Sequence, residues 1–231
     1  MSPHYTYLLV DVCSVIVPFL FSFGPKIAFY KQWRYLWLPM LSTAAVFIAW
    51  DVAFTHAGIW SFSDSYTLPV RWASLPVEEW LFFLAIPYSC VFIYASLNAF
   101  FPLKAAPGKG WGFTAMMGLA LMIVALVFYK KAYTCSAFGG CGAGLLLAFF
   151  LRKRFTAFRV LRFFVAYTVC LIPFFIVNGI LTALPVVSYN DAENLGIRLY
   201  TIPLEDVFYG MLMVLGSIWG MEAMRGHRKV V

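Results

Sequence analysis

Two four-residue stretches hold most of the chemistry this chain can perform. Pro76-Val77-Glu78-Glu79 and Pro203-Leu204-Glu205-Asp206 each place two adjacent carboxyl groups at the start of a long apolar run. The whole chain has only ten acidic residues, so a repeated acidic pair is a large share of its ionisable chemistry. A further acid, Asp51, lies within an apolar run, where ionisable groups are costly and usually functional. Carboxyl groups set close together suit general acid–base work. A neutral acid delivers a proton, and a carboxylate steadies a cation or takes a proton back. Adjacent helical residues point about 100° apart, so one member of each pair aims at any given centre. Glu78 and Glu205, which match in type, are the first candidates. Glu79 and Asp206 come second and Asp51 third.

Arg71 and Arg198 each stand seven residues before a motif glutamate. They are candidate counter-ions, or equally interfacial anchors. The competing account of the acids is structural, because carboxylates in a first helical turn complement the helix dipole. Aromatic residues, including Trp50, Trp60, Trp72, Trp80, Phe82, Phe83 and Tyr209, crowd both motifs. Some belong to an interfacial aromatic belt. Others, Trp80 and Tyr209 among them, could line a cavity whose ring faces steady a carbocation.

The acids recur because the chain repeats itself. At an offset of 127 residues, Asp64–Glu79 lies over Asp191–Asp206 with five of sixteen positions identical, where chance gives about one. The same offset sets Lys26 over Lys153, and Asp51 over Asn178, its uncharged counterpart.

The elements that must position these residues are membrane helices. Of 231 residues, 63% are hydrophobic and 12% charged, more apolar surface than a soluble domain of this size can bury. Apolar runs at about 5–23, 35–54, 79–101, 111–129, 133–151, 162–183 and 203–224 predict an all-α polytopic membrane protein of about seven transmembrane helices. Helices one to three correspond to five to seven. The fourth is an extra crossing that restores the orientation of the second copy, so the repeats are parallel. This divides the chain into a first three-helix unit (1–104), a linking helix (105–131) and a second three-helix unit (132–231). Tyr5–Phe23 lacks the flanks of a cleaved signal and reads as a retained helix. Gly140-xxx-Gly144 predicts close packing against a neighbour.

Four Lys or Arg fall on the N-terminal side (Arg71, Lys130, Lys131, Arg198) and thirteen on the other, among them Lys104, Arg228 and Lys229. The positive-inside rule puts the N-terminus outside and the C-terminus in the cytoplasm, across the cell membrane. The net charge of +7 therefore reads as topology, and no nucleic-acid partner is expected. The five Cys residues have no CxxC spacing and give no metal site, and the Gly-rich stretch near 139–144 has no βαβ context, so no NAD or FAD fingerprint is present. Parallel repeats and membrane acids would also suit a transporter or a proton-translocating protein, although no helix looks broken at midplane. A retinal protein lacks its Schiff-base lysine in 203–224, and a prenyltransferase its Asp-rich diphosphate clusters.

The paired motifs Pro76–Glu79 and Pro203–Asp206, with Trp50-Asp51, Trp60-Ser61-Phe62 and the stretch Asn178 to Tyr209, resemble the lycopene cyclase domain family, of the small membrane type without flavin. The likeness spans the chain, so both subunits of the two-subunit bacterial form would be fused here. The resemblance implies an isomerase that cyclises the end groups of a lipophilic carotenoid without net redox change, needs no cofactor, and works in membrane lipid beside other enzymes of carotenoid synthesis.

Overall fold

The structure is a computed structural model that describes residues 3–101 and 108–227. Lys104, Arg228 and Lys229, counted above on the inner side, lie outside the described residues. Seven α-helices carry the chain: α1 (Thr6–Phe21), α2 (Trp33–His56), α3 (Val77–Phe100), α4 (Trp111–Val127), α5 (Ala132–Phe150), α6 (Val160–Ala183) and α7 (Leu204–His227). Six of these segments are long and apolar enough to cross a membrane. The shorter α4, of 17 residues, spans about 26 Å at 1.5 Å per residue, near the lower limit for a crossing.

The two halves pack as exchanged copies. α1 lies on α3 and α5 on α7, whereas α2 lies on α7 of the other half and α6 on α3. Short strands join them at one end of the bundle. β1 (Trp60–Phe62) pairs antiparallel with β4 (Val187–Tyr189), with Ser61 opposite Ser188. These two serines are 127 residues apart, so each strand pairs with its own repeat and the pseudo-twofold axis passes between them.

Before α3 and α7 stand matching hairpins. β2 (Arg71–Trp72) pairs with β3 (Leu75–Pro76), and β5 (Arg198–Leu199) with β6 (Ile202–Pro203). Pro76 and Pro203 therefore end a strand immediately before their helix. Both hairpins turn through non-glycine residues at positive φ, Ala73 and Ser74 in one and Tyr200 in the other. They are anchored alike, with Val77 N–H bonded to Val70 O at 3.1 Å and Leu204 N–H to Ile197 O at 3.0 Å.

Small residues set the closest approaches. A Cβ on Gly140 or Gly144 would meet Leu212 of α7 at 3.0 or 2.8 Å, and one on Gly142 would meet Gly118 O of α4 at 2.8 Å. The small-residue face thus clamps α5 between α7 and α4. Pro18 in α1 has no N–H to offer the Ser14 carbonyl, and the Ser89 hydroxyl of α3 bonds that carbonyl at 2.8 Å instead. Such replacement partners are what let proline sit inside a membrane helix.

Candidate active site

The four motif acids are buried, and the two members of each pair point to different places. Glu78 turns back to its own loop, where Oε1 accepts the Leu68 N–H at 2.7 Å. Glu205 repeats this with the Leu195 N–H at 2.7 Å and adds the Thr134 hydroxyl at 2.6 Å. Each ties the loop before the hairpin to the helix that follows. Both amides are half-buried, so each bond contributes about 0.5–1.5 kcal/mol.

Glu79 and Asp206 point the other way, into a cavity between the halves. Glu79 Oε2 accepts the Tyr7 hydroxyl of α1. Asp206 accepts the Tyr133 hydroxyl of α5 at Oδ1 and the Tyr189 hydroxyl of β4 at Oδ2, the latter at 2.8 Å. Burial, and then the charge of Asp206, push the Tyr189 hydroxyl well above the usual phenol range, so it stays a donor. Asp51 joins them from α2. Its Oδ1 takes the Trp60 indole N–H, and the Thr55 hydroxyl stands at 3.4 Å. Its Oδ2 receives no N–H or hydroxyl, and the Asp51 and Glu79 carboxyl groups stand in hydrogen-bonding contact. Two carboxyl groups in that contact need a proton between them.

The cavity is a narrow slot, open at its mouth, with an interior volume of about 130 Å³. On α3 it is lined from Glu79 through Phe82, Phe83, Ile86 and Cys90 to Ile93, and on α6 from Leu181 back to Tyr167. Each stripe covers fifteen residues, fourteen steps along the helix and a run of about 21 Å. The three carboxyl groups are gathered at one end, and the α3 and α6 walls beyond are mostly apolar. Around the acids the rings are close. Tyr209 meets Phe47 at 4.8 Å and Trp50 at 5.0 Å, both edge-on.

The remaining sequence candidates divide. Asn178 and Tyr209 line the cavity. Trp80 does not; it stacks on Trp72 at 4.6 Å and donates to the Trp72 carbonyl. Arg71 and Arg198 are not counter-ions of the motif acids. They pair instead with Asp64 and Asp191, each at 2.5 Å, and bond the hairpin carbonyls of Ser74 and Thr201. The reason is reach, because the hairpin directs each guanidinium along the loop, away from the helix start. Hydrogen bonds from Asn194 and Arg198 hold the Asp191 carboxyl below its usual range.

Sequence reasoning missed Tyr7, Tyr133 and Tyr189. The first two are equivalent, since Tyr7 N–H bonds Tyr66 O and Tyr133 N–H bonds Glu193 O. They are 126 residues apart, so a strict 127-residue overlay sets Tyr7 on Thr134 and hides the match. Asp11 was also missed. It is buried in α1 with no hydrogen-bond partner at either oxygen.

A family model described as lycopene cyclase matches residues 4–97 and 130–224, so each half of the chain is covered. No curated protein and no solved structure matches.

Proposed function

We propose that this chain, which belongs to the lycopene cyclase family, closes the end groups of a linear carotenoid into β-ionone-type rings by acid catalysis. The observation that carries the reading is a long, largely apolar slot whose carboxyl groups are gathered at one end. A linear polyene fits such a space with its terminal alkene at the acids. The Asp51–Glu79 pair, two carboxyl groups in hydrogen-bonding contact, shares a proton and gives it to the alkene. The tertiary cation is attacked by the nearby double bond, which forms the ring bond and moves the charge into the ring. Asp206, whose two oxygens each receive a phenol hydroxyl, is the base that takes a proton from the ring. The rings of Phe62, Phe82 and Phe83, which line the cavity, surround the charge while it lasts.

Substrate and product are isomers, so the reaction is that of an intramolecular lyase and is written without a redox cofactor. The catalytic set is then Glu79, Asp51 and Asp206. Glu78 and Glu205 support it by fixing the loops, and Asn178 fills the place in the second half that Asp51 holds in the first. A transport reading would want polar groups along the whole path, and the α3 and α6 walls run on through Ile86, Cys90, Ile93 and Cys170. We further propose that the N-terminus faces outside and the C-terminus the cytoplasm of the cell membrane. The basic residues, four against thirteen, support that orientation. The apolar substrate and product stay in the bilayer, which favours hand-over to neighbouring enzymes of carotenoid synthesis.

The test is expression in a bacterium that accumulates lycopene, with chromatography of the pigments. Ring-bearing carotenes are expected. Unchanged lycopene beside well-inserted protein overturns the proposal.

A further inference from the structure

Ring closure consumes no net proton, yet it leaves one group short of a proton and another with one too many. In this cavity the two groups come from different halves, Asp51 and Glu79 from the first and Asp206 from the second. Something must carry the proton back before the next ring is made.

Tyr209 stands between them. Its ring lies 6.2 Å from that of Trp60, which donates to Asp51, and 6.3 Å from that of Tyr133, which donates to Asp206. It lies within electrostatic reach of Asp51, Glu79 and Asp206 together. Its hydroxyl is the only buried hydroxyl without a hydrogen-bond partner among the described residues, whereas the hydroxyls of Tyr7, Tyr133 and Tyr189 are each committed to one carboxyl group. A phenol can accept and donate at the same oxygen. At the 127-residue offset Tyr209 falls on Phe82, which also lines the cavity. The hydroxyl is therefore present in one half only, as a single link between unlike partners requires. A structural role common to both repeats would not make that distinction.

We propose that Tyr209 is the proton relay that resets the site between turnovers. The proton on Asp206 passes to the Tyr209 oxygen as the phenol's own proton passes to the Asp51–Glu79 pair. One O–H bond breaks at Asp206, one forms on the pair, and Tyr209 ends with the proton count it began with. The inference rests on the ring-closing reading above.

The test uses the full-length protein in phosphatidylglycerol–phosphatidylethanolamine vesicles loaded with lycopene and sampled by rapid quench. Tyr209→Phe is expected to make about one ring per protein molecule at the wild-type rate and then to slow at least about tenfold, in line with the loss of one proton-transfer group. A first ring that slows as much as the later ones, or later rings that do not slow, overturns the relay. A second measurement needs no variant. In D₂O the wild-type protein should return substrate-derived protium to later rings, so their deuterium content falls below that of the first ring. Deuterium content that stays level from first ring to last overturns the relay independently. If the wild type makes no rings at all, the failure lies with the ring-closing reading itself.

Discussion

Glu79 and Glu78 are neighbours in sequence, and their removal should be felt in different assays. Glu79→Gln keeps the shape of the side chain and removes the acid that faces the cavity. Ring formation is expected to fall at least about 100-fold, with insertion and melting temperature unchanged; retained pigment conversion would exclude Glu79 as the acid. Glu78→Ala leaves the half-buried Leu68 N–H without its acceptor, which costs about 0.5–1.5 kcal/mol. A lower melting temperature in detergent, with ring formation per folded molecule within a few-fold of wild type, is the expected result. The repeat made Glu78 and Glu205 the first candidates because they match, and the structure gives a physical reason for the match. Both do the same structural task, each holding the loop ten residues before it. The cavity is asymmetric, so the residues facing it differ between halves: Glu79 and Asp206, Asp51 and Asn178, Phe82 and Tyr209. The acids and their depth were legible from the motifs and the apolar runs. It could not say which of two adjacent side chains faced inward, because that depends on how α3 and α7 are rotated by their neighbours.

At the scale of elements, the contact of α4 with α5 is set by glycine. Gly142→Ala would bring a Cβ within 2.8 Å of the Gly118 carbonyl, and overpacking of this kind costs about 1–3 kcal/mol. Gly112→Ala, with nothing within 4 Å, is the matched control. Thermal unfolding in detergent should separate the two, and equal melting temperatures would mean that the helices part to make room. The hairpins depend on charge instead. Asp191 is held below its usual carboxyl range in the folded protein, so its contribution is fully present above the unfolded value of about 3.9 and fades as the pH falls through the folded one. The side chain is 62% exposed, so the effect is small and screened by salt. The stability gap between Asp191→Asn and wild type should close on acidification; a gap that widens would contradict the pairing. The helices and their order were legible from apolar runs alone. The hairpins were not, since their two-residue strands turn through alanine, serine and tyrosine at positive φ, where sequence rules look for glycine or asparagine.

For the molecule as a whole, the cavity belongs to neither half. Asp51 and Glu79 come from one, Asp206 and Tyr209 from the other, and α6 of the second half walls it against α3 of the first. Fragments cut between α3 and α4 should each be inactive alone and should form rings again when co-expressed. Pigment conversion by one fragment alone would show that a half-site suffices. The pairing of Ser61 with Ser188 carries a consequence for assembly. A strand that pairs in register with its own duplicate is self-complementary, so a single repeat already holds an isologous interface of the kind that builds twofold dimers. Two separate copies would enter the membrane in the same sense with no seventh helix between them. Joining two such copies end to end in the same sense takes one extra crossing, and α4, which lends no residue to the cavity wall, stands where that crossing is needed.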